Sequence, residues 1–138
     1  MKKSICVGAL MMLFFPMLGL ASQFKVYPGA SLDEKATKEA RELATQAKQA
    51  GSPRIYTTKD PFQKVALFYK ELGKEIAMPR SSGTKGNPKK IEKYDLWEAY
   101  FILDGALDLS SSKSWVKVQR PYIGERVRDV TAIVVVER

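Results

Sequence analysis

Ala132-Ile133-Val134-Val135-Val136 is an unbroken apolar run near the end of the chain. Four of its five residues are β-branched, which suits a strand. Successive side chains of a strand point to opposite faces. A strand that is apolar at every position therefore has to be covered on both sides, which places it in the middle of a sheet. The reading is of one long strand, Val127 to Glu137, whose end is this run.

The segments before it read as its neighbours. In Leu96 to Leu103, Trp97, Ala99, Phe101 and Leu103 alternate with Glu98 and Tyr100. In Trp115 to Arg120, Val116 and Val118 face one way and Trp115, Lys117 and Gln119 the other. Arg54 to Thr58 is a short β-rich stretch. Asp104-Gly105, the Ser-rich Leu109 to Ser114, and Pro121 to Glu125 supply the turns between strands.

Two helices precede most of these strands. Ser31-Leu32-Asp33-Glu34 reads as a capping box. Leu32, Ala36, Ala40, Leu43 and Ala47 then recur every three or four residues, a narrow face built mostly of Ala. Gly51 and Pro53 end that helix. Asp60-Pro61 opens a second helix that runs to Met78, with Phe62, Val65, Tyr69, Leu72 and Ile76 on its apolar face. Residues 79–95 hold Pro, Gly and several Lys and read as a long basic loop. The expected fold class is α+β, in the order α-β-α-β-β-β. Two helices pack on one face of a mostly antiparallel sheet of about four strands.

The first 21 residues read as a cleaved export signal. Lys2 and Lys3 lead an apolar stretch from Ile5 to Leu20, and Gly19-Leu20-Ala21 offers small residues for cleavage. The stretch is shorter than a spanning helix and contains Pro16. Residues 22–138 form a single domain of about 117 residues, within the usual domain size range. Its expected location is the periplasm or the medium. Cys6 is the only cysteine and leaves with the leader; the chain has no His. Disulfides, thiol nucleophiles and His-based acid–base or metal chemistry are excluded for the mature part. Without Lys2 and Lys3 the balance is 21 Lys and Arg against 15 Asp and Glu. That basic excess suits an anionic envelope surface, and it also serves solubility.

Tyr56-Thr57-Thr58-Lys59-Asp60-Pro61-Phe62-Gln63-Lys64-Val65-Ala66-Leu67-Phe68-Tyr69-Lys70 carries the pattern Y-x-T-x-D-x-F-x-K-V-x-x-F-Y-K, with Tyr27-Pro28-Gly29-Ala30 upstream. The segment resembles a module of small exported bacterial proteins, over roughly the first half of the mature chain. The resemblance implies export and no particular activity. Read physically, the same residues are a strand, a helix start and an aromatic core face.

Motifs for chemistry are sparse. Ser82 and Lys85, and again Ser110 and Lys113, match a Ser-x-x-Lys spacing, but both lie in loops and lack the companion motifs of penicillin-recognising enzymes. Gly83-Thr84-Lys85-Gly86 lacks the spacing of a phosphate loop. Asp104 and Asp108 flank a turn, where Asp ordinarily caps backbone. Glu98 and Asp129 both lie in expected strands, and hydrolysis by carboxylates would need such a pair held across a cleft. No cofactor or metal is called for, and nucleic acid is not the expected partner.

The most suggestive constellation is basic and aromatic. Trp115 and Lys117 project from one sheet face, Arg120, Tyr122, Arg126 and Arg128 follow, and Lys89 and Lys90 sit in the long loop. Arg and Trp are favoured in binding surfaces. The expectation is a non-enzymatic exported binding module for a protein or an anionic envelope component. Two other readings stay open. One is a small hydrolase using carboxylates and a Lys or Tyr. The other is a carrier holding an apolar ligand between the second helix and the sheet.

Overall fold

The computed structural model describes residues 23–138. The expected leader and its cleavage position lie outside the described residues. The chain is α+β, with two helices and a mostly antiparallel sheet. Its elements are β1 (Ser31–Leu32), α1 (Glu34–Gln46), β2 (Ser52–Thr58), α2 (Phe62–Leu72), β3 (Lys74–Ile76), β4 (Lys89–Ile91), β5 (Tyr94–Ile102), β6 (Ser114–Arg120), β7 (Tyr122–Ile123), β8 (Val127–Arg128) and β9 (Thr131–Glu137).

The sheet has seven strands rather than about four. Its order is β1-β2-β9-β6-β5-β3, with β4 also pairing to β5. The three extra strands have two or three residues each, too short to show any periodicity in sequence. The expected strand from Val127 breaks at Asp129-Val130. Its first two residues pair with Tyr122–Ile123 in a separate hairpin, and only β9 enters the main sheet. There β9 is central as its composition requires, between β2 and β6.

The helices occupy opposite faces of the sheet, not one. α2 packs with Ala99, Phe101 and Leu103, with Val116 and Val118 of β6, and with Ile133 and Val135 of β9. α1 packs through Ala36 on Ile55 and Ala132, which point to the other side. The both-sided apolarity of β9 is thus met by one helix on each face, a division that the preference for one-faced antiparallel sheets concealed.

Local chemistry explains the boundaries. Asp33, not Ser31, caps α1, accepting a 2.9 Å hydrogen bond from the Ala36 N–H. Ser31 and Leu32 pair instead with Thr57 and Tyr56. α2 starts after Pro61 without a side-chain cap. Asp60 is used elsewhere, accepting a 2.7 Å bond from the Tyr27 hydroxyl. α2 stops at Leu72, not Met78, because the chain passes close to β5 at Gly73. A Cβ there would lie 2.5 Å from the Ile102 carbonyl oxygen. Ile76, expected on the helix face, pairs with Tyr100 in β3.

The segment 23–30 closes the α2 side. Tyr27-Pro28-Gly29-Ala30 is a turn with Ala30 N–H donating to the Tyr27 carbonyl at 2.9 Å and Gly29 at φ 93°. Pro second and Gly third is the type II pattern. Phe24 stacks on Tyr69 at 6.0 Å, and Tyr27 meets Phe68 edge-on at 5.3 Å. The Tyr69 hydroxyl donates to the Lys25 carbonyl and accepts from the Tyr27 N–H.

Candidate binding groove

The face that α2 covers is filled. Phe62, Val65, Tyr69, Phe101, Val116, Val118, Ile133 and Val135 are all at most 1 % exposed. An apolar ligand between α2 and the sheet has no room among these side chains. The opposite face is different. α1 lies along β2, held by its first half. Thr37 Oγ1 accepts from the Ile55 N–H at 2.9 Å, Arg41 Nε donates to the Pro53 carbonyl at 3.1 Å, and Arg128 reaches Asp33 at 2.7 Å. Beyond Ala40 the apolar face of α1 continues through Leu43, Ala44 and Ala47, which line an open groove over the sheet. Leu43 is 66 % exposed.

Between this overhanging half of α1 and the rest of the sheet runs an open groove of about 1260 Å³. Its floor follows from the strand register. Lys117 lies beside both Val134 and Tyr100, and Trp115 beside both Val136 and Ile102. One wall is Ala40, Leu43, Ala44 and Ala47, and the far end is closed by Tyr122, Ile123 and Gly124. The Tyr100 and Trp115 rings lie 6.1 Å apart and form a broad aromatic platform. The Trp115 indole N–H is shielded from water and has no hydrogen-bond partner among the described residues.

Three of the four charged side chains that line the groove are engaged. Lys117 pairs with Glu98 at 3.0 Å and lies 5.7 Å over the Tyr100 ring. Glu125 pairs with Lys35 at 3.0 Å. The Arg138 guanidinium donates to the carbonyls of Ser110 and Leu109, both at 3.1 Å.

The sequence-derived candidates therefore separate. Trp115, Lys117 and Tyr122 do come together, joined by Tyr100 and Gln119. Arg126 and Arg128 line a smaller depression next to it, with Lys35, Asp33, Glu39 and Glu125. Arg128 is committed there as the Asp33 partner and lies 6.0 Å over the Tyr122 ring. Burial would raise the Asp33 carboxyl. The hydrogen bonds from Arg128 and the Ala36 N–H outweigh it and hold the group below its ordinary range. Burial, and then the charges of Glu39 and Asp33, push the Tyr122 hydroxyl up.

Arg120 belongs to the other face and holds the chain together. Its guanidinium donates to the carbonyls of Lys59, Asp60 and Asp129 and to Thr131 Oγ1. Lys89 and Lys90 lie in β4, paired to the start of β5, and do not line the groove. Lys90 is matched by Asp95 at 3.1 Å.

The chemical candidates resolve into structural roles. Glu98 and Asp129 do not converge, since Glu98 is held by Lys117 and Asp129 by Arg120 at 3.1 Å. Asp104 accepts from Ser112 Oγ and the Lys113 N–H. Its burial would raise the carboxyl, but these bonds hold it low. Asp108 caps Ser110 and Ser111, which lower it in turn. Ser82 Oγ accepts from the Glu98 N–H at 2.9 Å, fixing the long loop to β5. No group of three Asp, Glu, His or Cys among the described residues is placed to hold a metal.

Sequence reasoning missed Leu43, Ala44, Ala47, Val134 and Val136 as groove residues. Leu43 and Ala47 belong to the expected apolar helix face and Val134 and Val136 to the run expected to be covered on both sides, and nothing in a periodic pattern shows that α1 covers only part of the sheet. Comparison with family models, with curated proteins and with solved structures finds no match.

Proposed function

We propose that this chain is an exported, non-enzymatic binding module that takes its partner in the groove beside α1. The observation that carries the reading is the half-buried, largely apolar floor. Tyr100, Trp115, Val134 and Val136 line a sheet face that one helix leaves half covered, and Leu43 overhangs it. A concave site lined mostly by apolar and aromatic side chains with a few polar groups is the usual make-up of a binding site. A catalytic reading finds no converging carboxylates and no unpaired Lys beside a carboxylate in this groove.

The anionic partner suggested by the basic composition gains little from the groove, because Lys117 and Arg138 are engaged within it. The apolar carrier reading moves from the α2 side to this face. Native mass spectrometry of the protein purified from its own host tests the proposal. The wild type is expected to retain a bound species that is lost from the Trp115→Ala, Leu43→Ser double variant. Equal retention by the folded double variant, or a bare chain in both samples at physiological ionic strength, overturns it.

A further inference from the structure

The groove makes little use of the basic excess of the chain, which is concentrated elsewhere. Residues 22–138 hold 21 Lys and Arg against 15 Asp and Glu. Six of the basic residues, Lys74, Arg80, Lys85, Lys89, Lys90 and Lys93, fall within residues 74–93, against Glu75 and Glu92. Those 20 residues therefore supply four of the six excess positive charges.

The fold lays this segment along one edge. β3 pairs with the end of β5, with Lys74 beside Ile102 and Ile76 beside Tyr100. β4 pairs with its start, with Lys89 beside Leu96 and Ile91 beside Tyr94. The loop between them is tied to the middle, where the Glu98 carbonyl accepts from the Gly83 N–H at 2.7 Å and from the Ser81 hydroxyl at 2.8 Å. The segment thus follows the outer edge of β5 over its nine residues, about 27 Å. All six basic residues are exposed. Lys90 pairs with Asp95, and Glu75 is taken up by Thr84 and Lys70. Lys74, Arg80, Lys85, Lys89 and Lys93 have no ion-pair partner among the described residues, and Glu92 is the one acid of the segment left uncommitted. Elsewhere on the sheet Arg54, Lys117, Arg120 and Arg128 are each matched by a carboxylate.

The residue types select among anions. Five of the six are Lys, a point charge, whereas two-pronged recognition of a single phosphate or carboxylate favours Arg. Residues 74–93 contain no Phe, Tyr or Trp on which the bases of a single strand could stack. The cations are irregularly spaced along a long edge, so they match no repeating register. A bilayer surface asks for no register, and each Lys or Arg near anionic headgroups adds to the attraction. Met78 and Ile91, partly exposed among the cations, offer apolar atoms that a bilayer interface accepts. We infer that the outer edge of β5, from Lys74 to Lys93, docks on an anionic phospholipid surface. The inference does not rest on the groove.

The test is co-sedimentation of the host-purified protein with vesicles. Vesicles of phosphatidylglycerol and phosphatidylcholine in equal parts should bind it saturably, and phosphatidylcholine alone at least tenfold more weakly. Binding should fall at least tenfold between 50 and 500 mM salt, because exposed charges are screened. The triple variant Lys85→Gln, Lys89→Gln, Lys93→Gln should bind at least tenfold more weakly. The control Lys38→Gln, Lys48→Gln, Lys59→Gln removes three exposed lysines elsewhere, has the same net charge, and should stay within threefold of the parent. Thermal melts confirm that both variants fold. No binding, equal binding of the two vesicle types, or equal weakening by the two triple variants overturns the proposal. So does binding of heparin or an oligonucleotide that depends on Lys85, Lys89 and Lys93 while the vesicles fail, which would give the edge to a different polyanion. Self-association of the first variant with vesicle binding unchanged would mean that these lysines only guard a sheet edge. Trp115→Ala should bind vesicles as the parent does. Failure with vesicles therefore leaves the groove reading standing, and loss of the groove reading leaves this one.

Discussion

The two faces of this sheet carry similar apolar chemistry and end in different states. On the α2 face, Phe62, Val65 and Tyr69 meet Phe101, Val116, Val118, Ile133 and Val135, and the segment at Phe24 and Tyr27 seals the edge. On the α1 face, only Ala36, Ile55 and Ala132 form a fully buried cluster. Tyr100, Trp115, Val134 and Val136 remain around an open groove. The difference lies in the helices. α2 brings aromatic and branched side chains that span the gap to the strands. α1 brings alanines that reach only the strands directly beneath it. The first face is therefore where stability resides, and the second is where a partner is free to add apolar contact.

The largest test of that contrast is Phe101→Ala. Phe101 is fully buried in the α2 core, and removing such a side chain costs about 3–5 kcal/mol. Trp115→Ala removes a larger ring from the groove floor and is expected to cost less than half as much. Urea unfolding of both variants gives the comparison. Equal losses would mean that the groove side chains are core after all.

Next comes Arg120→Ala. Charge-assisted hydrogen bonds contribute about 1.5–3 kcal/mol, and Arg120 ties β6 to the carbonyls of Lys59, Asp60 and Asp129. A loss of about 2 kcal/mol is expected, with no effect on any groove ligand. Arg126→Ala, in the neighbouring depression, is expected to stay within about 0.5 kcal/mol of the parent. A groove ligand that weakens in Arg120→Ala with stability unchanged would return that residue to the binding surface.

How much of this was legible beforehand follows from the same contrast. The alternation in β5 and β6 named the two faces correctly. The composition of Ala132 to Val136 requires cover on both, which is met by one helix on each face. Three things left no trace in any periodicity. β1, β3 and β4 have too few residues to alternate. Arg120 sits at the end of a strand, where its direction depends on the loops it binds. The groove depends on where α1 lies over the sheet, and the alanine spacing of a helix does not encode how far its neighbour extends. Trp115 and Lys117 were recognisable because outward alternation is local. Leu43 was not, because its exposure results from a missing layer.

The alkaline limb of stability reports the sealed face. The Asp60 carboxylate accepts the Tyr27 hydroxyl bond, and this bond, with burial and the carboxylate's charge, pushes the hydroxyl up to about 12 from an ordinary 10. The folded state therefore holds this proton more tightly than the unfolded chain. Its contribution is complete below about pH 10 and is lost as pH rises toward 12. Tyr27→Phe is expected to cost about 1 kcal/mol at pH 7. It should also flatten the fall in urea midpoint between pH 10 and 12. A parallel fall in parent and variant would place the alkaline sensitivity in other groups.

The smallest expected effect is also the one that separates the faces within a single helix. Ala36 and Leu43 are seven residues apart, two turns along the same stripe of α1. Ala36 is 2 % exposed against Ile55 and Ala132, whereas Leu43 is 66 % exposed over the groove. Ala36→Leu adds volume where none is free and should cost about 1–3 kcal/mol. Leu43→Ser deletes an apolar side chain that buries little, and stability should stay within about 0.5 kcal/mol. If Leu43→Ser instead destabilises the isolated chain by as much as Ala36→Leu, the second half of α1 is packed in solution, and the groove is closed by its own helix rather than kept open for another.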